Sequence, residues 1–273
     1  MTAPSSGTTN SATERYTIIR DSTQILLVLT SQDTLGETGE ATGYNVAEAA
    51  HPWKVFRDAG YFVDFASIAG GQPPRDAVQE DDPVQVEFTQ DETAKASLYN
   101  TPKVSVVDPS QYDAVYLVGG HGTMWDFTGN EGLQKLVAAV YDSGGVVGAV
   151  CHGPSGLVDV ELSNGVNLLS GRKVAAFTTA EEEEVGKKDT VPYLLQDKLE
   201  EQGATVKVAE NWEENVQVDE RLVTGQNPQS AAGVAKEMTK LLTEVVREQK
   251  AEEEQAAQDL RAEHDAEKAD DED

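Results

Sequence analysis

Cys151 and His152 are the residues of this 273-residue chain with the plainest capacity for chemistry. They end the run Gly144-Gly145-Val146-Val147-Gly148-Ala149-Val150 and are followed by Gly153-Pro154-Ser155-Gly156. An apolar, β-branched strand therefore stops at a thiol and gives way to small residues that can open a helix. Such a strand-to-helix turn presents a nucleophile. Gly148 and Gly153 permit close backbone approach, and a helix N-terminus beyond the turn favours thiolate over thiol. The same local pattern also suits a small buried core residue, the commoner fate of a lone cysteine.

The elements that must position this turn repeat along the chain. Ile25-Leu26-Leu27-Val28-Leu29-Thr30 is an apolar run of strand length, as expected for a strand buried on both faces of a parallel sheet. A polar loop at 31–43 leads to helical spacing from Tyr44 to Asp58, a stop at Ala59-Gly60, and a second strand from Tyr61 to Ala66. Residues 67–110, with Gly70-Gly71, Pro73-Pro74 and a modest helical segment near 91–99, interrupt the rhythm as an insertion. It resumes with the strand Tyr112–Val118, the loop Gly119-Gly120-His121-Gly122-Thr123, a helix from Asn130 to Ser143, and the cysteine strand. Further strands are expected at Lys173–Ala176, Ala204–Val208 and Arg221–Thr224, with helices at about 189–202 and from Pro228 to beyond Val246. Alternating strands and helices predict an α/β fold with a doubly wound sheet and ligand sites at the carboxyl ends of its strands. The loop after the first strand, the Gly119–Thr123 loop and the Cys151 turn all fall at such ends.

The composition bounds the setting. A single cysteine rules out an intrachain disulfide, and one thiol with four histidines argues against a structural zinc site. The start of the chain has no apolar signal region, and no run reaches the ~18 apolar residues of a membrane span, so the chain reads as soluble and cytoplasmic. The 49 acids against 21 bases give a net charge of −28. A surface of that sign repels nucleic acid and anionic membranes, so neither is expected as a partner. Residues 250–273 carry eleven acids and three bases, leaving about −20 for the rest of the chain. Dispersed acidity of this kind suits a halophile's protein, whose self-repulsion is screened by salt. Residues 1–14 are expected to be disordered, 15–248 to form the α/β domain, and 249–273 to form an acidic helical or disordered tail.

Thr42-Gly43-Tyr44-Asn45-Val46-Ala47-Glu48-Ala49-Ala50-His51-Pro52, Gly119–Thr123, Ala149–Pro154 and Leu222-Val223-Thr224-Gly225-Gln226-Asn227-Pro228 together resemble the ThiJ/PfpI superfamily, class I glutamine amidotransferase-like proteins. Within it they are similar to the branch of stress-inducible chaperones that double as glutathione-independent glyoxalase III. The resemblance covers about Leu26 to Val246 and leaves out both tails. It implies a flavodoxin-like, mostly parallel sheet sandwiched by helices, a Cys-His-acid triad, a glutamate from the first helix facing the thiol, and a homodimer. Carried onto this chain, Cys151 is the nucleophile, His152 its neighbour and Glu48 the facing carboxyl. The third triad member comes from Glu181 to Glu184, with Glu182 favoured and Glu181 next.

The chemistry of the residues fits those roles. A thiolate adds readily to an aldehyde carbon, and a carboxyl buried beside it has a raised pKa and can shuttle a proton near pH 7. Methylglyoxal would thus become a hemithioacetal on Cys151 and leave as lactate, with Glu48 as the shuttle. Backbone N–H groups at Gly120 and His152 would hold the developing oxyanion, with His121 and Gly122 beside the substrate. His51, next to Pro52, reads as a packing or hydrogen-bonding residue. Trp125 and Phe127 are expected to wall the pocket or to belong to the core. No i,i+4 His pair or HxxE spacing appears, so no metal and no cofactor are expected. The expected partner is a small aldehyde. Two competing functions are a holdase chaperone with a hydrophobic surface patch, and a cysteine hydrolase (peptidase or deglycase) using the same triad.

Overall fold

The computed structural model describes residues 22–245 together with Gln255. The expected disordered segment 1–14 and, apart from Gln255, the acidic tail 249–273 lie outside the described residues. β1 (Gln24–Leu29), whose side chains from Ile25 to Leu29 are fully buried, lies inside a six-stranded sheet. β2 (Tyr44–Asn45) leads directly into α1 (Val46–Asp58), which Asn45 caps by accepting the Ala47 and Glu48 N–H groups. β3 (Phe62–Ser67) follows, then β4 (Arg75–Asp76), α2 (Pro83–Gln90) and α3 (Glu92–Tyr99). The insertion is thus more ordered than the single helical segment its sequence suggests. Asp82 and Asp91 each cap a short helix there, and Asp91 ends one as it starts the next.

β5 (Ala114–Leu117), α4 (Thr123–Asp126), α5 (Glu131–Asp142) and β6 (Val146–Val150) build the centre. Beyond it come β7 (Lys173–Val174), α6 (Thr179–Glu184), α7 (Leu195–Glu201), β8 (Thr205–Val206), β9 (Val216–Asp219), β10 (Leu222–Gly225) and a last helix, α8, over residues 231–245. The main sheet runs β3-β1-β5-β6-β10-β9, parallel throughout except for the β9 edge. This is the doubly wound sheet the residue pattern predicts, in the flavodoxin-like sandwich the resemblance implies. Two hydrophobic clusters fill its two faces, one beneath α5 and α7, the other beneath α1 and α8.

Three expectations need correction. The strands at Lys173 and Thr205 pair with each other in a small separate sheet and do not extend the main one. β9, whose residues are at most half-buried, escaped a reading keyed to apolar runs. The residues after Cys151 form a single 3-10 turn, Gly153–Leu157, where a helix was expected. Among the described residues no helix is long and apolar enough to cross a membrane.

Candidate active site

Cys151 sits at the carboxyl end of β6 with φ of +58°, a left-handed conformation that costs a non-glycine residue about 1–2 kcal/mol. Backbone hydrogen bonds on both sides hold it there: its N–H donates to Gly225 O at 2.9 Å, and its carbonyl accepts the Phe177 N–H at 2.9 Å. The turn aims Sγ at His152, whose Nδ1 lies 3.3 Å away. On the other side of the ring, His152 Nε2 lies 2.7 Å from Glu182 Oε2. The second oxygen of Glu182 meets His121 Nε2 at 2.8 Å. One carboxylate therefore binds two imidazoles, which stack on each other at 4.1 Å.

The charges of the group follow from its surroundings. Burial alone would raise the Glu182 pKa, but hydrogen bonds from His121 and His152 outweigh it and bring it to about 2. Burial pushes His152 down to about 4, with His121 adding to the effect against the pull of Glu182. Glu182 is thus an acceptor on both oxygens, so both histidines present a protonated Nε2 to it. Neutral His152 then offers a bare Nδ1 lone pair to the thiol.

Glu48 occupies the opposite wall. It projects from the first turn of α1, is fully buried, and neither carboxyl oxygen makes a hydrogen bond of good geometry. Burial dominates and raises its pKa to about 8; the Asp76 charge adds to this, while the adjacent Cys151 thiol and Gly119 backbone oppose it. The thiol itself is pushed well up, first by burial and then by the Glu48 charge. That outcome corrects the expectation of a thiolate favoured by a helix N-terminus, because a 3-10 turn stands where the helix was expected. The backbone N–H of His152 is what lowers the thiol pKa here.

The glycine loop is shaped by contacts that leave no space for side chains. A Cβ on Gly119 would lie 2.1 Å from Glu48 Oε2 and 2.5 Å from Val150 O. Gly120, at φ +114°, brings its α-carbon against Gly43 O and the backbone of Tyr44 and Asn45. Gly122 packs against Thr30 and the Gln32 carbonyl, and the Thr123 hydroxyl reaches the carbonyls of both Gly120 and His152. Asp126, at the end of α4, secures the loop to β1 by accepting from Thr30 Oγ1 and Ser31 N.

The structure brings Cys151, His152, Glu48, Glu182 and His121 together from α1, the Gly119 loop, the β6 turn and α6. The run of four acids separates by burial. Glu181 turns away into a structural role, closing a capping box with Thr178 and accepting from the Trp212 N–H, Gln226 and Asn227. Glu183 and Glu184 are exposed, with Glu184 holding Asn211 and Trp212. His51 pairs with Asp82 at 2.8 Å, the hydrogen-bonding role expected for it. Phe127 is buried in the core cluster beneath α5, and Trp125 packs against Gly36. The aromatics beside the imidazoles are Phe177, 4.4 Å from the His152 ring, and Trp212, 5.7 Å from Phe177. Neither was given a role from sequence, and Gly119 entered only as the first residue of the Gly119–Thr123 loop. His121, His152 and Glu182 also place three potential metal-ligand atoms within 4.8 Å of one another, a grouping that no sequence spacing reveals. All three are already engaged in the imidazole–carboxylate hydrogen bonds.

Known proteins share this sequence pattern and fold. A family model described as the DJ-1/PfpI family matches residues 40–241. Glyoxalase 3 of Candida albicans is 36% identical over 233 residues, 79% of this chain and 96% of that protein. The glutathione-independent glyoxalase HSP31 of Saccharomyces cerevisiae is 32% identical over 226 residues, 78% of this chain and 94% of that one. The crystal structure of glyoxalase III from Candida albicans superposes with a TM-score of 0.73 at 35% identity, covering 80% of this chain and 97% of the other.

Proposed function

The chain belongs to the DJ-1/PfpI family, and on that premise we propose that it is a glutathione-independent glyoxalase converting methylglyoxal and related 2-oxoaldehydes to 2-hydroxy acids. The observation that carries the chemistry is the fully buried Glu48 carboxyl against the Cys151 thiol, with its pKa near 8.

Once the buried pair has lost one proton, as it does with rising pH near 8, Cys151 and Glu48 share the one that remains. When the proton resides on Glu48, the carboxylate charge that opposes the thiolate is gone, and sulfur is free to attack. The thiolate adds to the aldehyde carbon, and Glu48 gives its proton to the forming alkoxide, leaving a hemithioacetal and a carboxylate. That carboxylate takes the proton from the former aldehyde carbon and returns it to the neighbouring one, while the hydroxyl proton passes from the first carbon's oxygen to the second's through the enediol. The result is a lactoyl thioester. Water, deprotonated by neutral His152 through its bare nitrogen, cleaves the C–S bond to give lactate and the restored thiol. The sum is methylglyoxal plus water to lactic acid, with no electron acceptor required. N–H groups of Gly120 and His152 hold the oxygen during addition.

Purified protein mixed with methylglyoxal in the absence of glutathione should form lactate, Cys151→Ala should form none, and Glu48→Gln should be slower by about 10²-fold or more. Absence of lactate, or full turnover in Cys151→Ala, defeats the proposal. Suppressed aggregation of a client that survives Cys151→Ala would favour a holdase instead. We further propose that the enzyme works in a high-salt cytoplasm, on the strength of its net charge of −28.

A further inference from the structure

The insertion between β3 and β5 contributes little to the site above, yet with Tyr44 it encloses a second cleft of about 250 Å³. A buried aromatic layer lies beneath it. Phe88 is fully buried, edge-on to Trp53 at 5.3 Å and tilted on Phe65 at 5.9 Å, and the Tyr44 ring beside it is 1% exposed. Leu98 and Tyr99 from the last turn of α3 form a wall, Tyr99 standing 74% exposed at the rim.

The charges of the cleft run against those of the molecule. Arg75 and Lys95 line it and no acid does, in a chain of net charge −28. Lys95 is paired with Glu92 at 2.7 Å on the exposed face of α3. The Arg75 guanidinium forms no ion pair or hydrogen bond among the described residues, and its charge acts on the Tyr44 phenol, which also lacks a hydrogen-bond partner among them. A free planar cation, an unpaired hydroxyl and an apolar wall thus converge on one concavity. Ligand sites have this character: mostly apolar walls with a few polar groups that fix orientation.

We propose that this cleft binds a small monocarboxylate with an apolar, ring-sized body. The guanidinium of Arg75 holds the carboxylate, the Tyr44 phenol donates to it, and the body lies against Leu98 and Tyr99. A neutral apolar molecule leaves Arg75 unpaired, and a bare inorganic anion leaves the Leu98 and Tyr99 wall uncovered. A second copy of the chain is disfavoured as the occupant, because nine lining residues fall short of the ~20–30 per side of a stable interface. The site also touches both strands of the β2–β4 pair, which carries Asn45, the cap of the Glu48 helix. The assignment is independent of the Cys151 chemistry.

The test is calorimetric titration of the full chain, at one fixed ionic strength, with phenylacetate, its neutral isostere phenylacetamide, and phenethylamine. Phenylacetate should bind at one site, phenylacetamide about fivefold or more weakly, and phenethylamine not at all. Arg75→Gln should bring phenylacetate down to the level of the amide, and Tyr99→Glu should weaken it further. Both positions are exposed, so the melting temperature should hold in each variant. Equal binding of acid and amide by the unmodified protein overturns the proposal, as does undiminished binding by Arg75→Gln. Concentration-dependent self-association that is lost in Tyr99→Glu, with no phenylacetate uptake, would assign the cleft to a second copy.

Discussion

The α-carbon of Gly119 faces the carboxyl of Glu48 so closely that a methyl group there would fall 2.1 Å from Oε2. The loop and the first helix are fitted to each other through the absence of a side chain. Position 119 therefore sets how near Glu48 can come to the thiol, whose own Cβ is 2.9 Å from the same point.

Gly119→Ala should destabilise the fold by about 3 kcal/mol or more, since the added methyl also meets the Val150 carbonyl at 2.5 Å and neither neighbour can retreat. Gly129→Ala is the control. Its φ is +74° and nothing lies within 4 Å of the new methyl, so about 1–2 kcal/mol of backbone strain is the whole effect. Urea denaturation of the two variants checks the contrast.

Glu48→Gln removes the proposed proton shuttle but keeps the shape. Lactate formation should fall by about 10²–10⁴-fold. Because Cys151 is the sole cysteine, iodoacetamide uptake reports its ionisation directly. The Gln variant cannot place a charge against the sulfur, so its alkylation midpoint should move to lower pH. An unchanged midpoint would mean that the two groups do not share a proton.

The pH dependence of stability has two opposing parts. Glu182 is depressed to about 2, so its contribution is complete above the ordinary glutamate range and drains away as pH falls through that range toward 2. His152, depressed to about 4, likewise loses stability as pH falls from about 6.5 to 4, where only the unfolded chain gains the proton. Glu48, raised to about 8, acts the other way, and stability is lost as pH rises toward 8. Glu182→Gln should flatten the acid limb in thermal melts, and Glu48→Gln should raise the melting temperature most above pH 8.

Salt should stabilise this protein. At −28, self-repulsion in dilute buffer opposes the compact state, and screening lengths shrink from about 10 Å at 0.1 M to 3 Å at 1 M. Melting temperature should climb steeply with potassium chloride before levelling. A flat response would mark an ordinary acidic protein.

Much of the architecture was legible in the residues, because parallel strands buried on both faces must be apolar along their whole length. β1, β5 and β6 announce themselves this way. β9 is half-buried and antiparallel at an edge, so it carries no such run. The two-residue strands at Lys173 and Thr205 are set by local pairing that apolarity does not encode. The motifs and the resemblance they carry likewise singled out Cys151, His152 and Glu48 and favoured Glu182, the acid that meets His152, without excluding Glu181.

The sequence by itself determined which residues could do chemistry and the order of the elements that carry them. Only the tertiary structure decided which acid meets His152. Glu181 and Glu182 are adjacent on one helix, and the 100° between them turns one toward Asn227 and the other toward two imidazoles. The protonation states were decided at the same level. A carboxyl at about 8 and another at about 2 are the same side chain, distinguished by whether burial is answered by hydrogen-bond donors. That answer comes from residues remote in the chain, which meet only when the sheet is assembled.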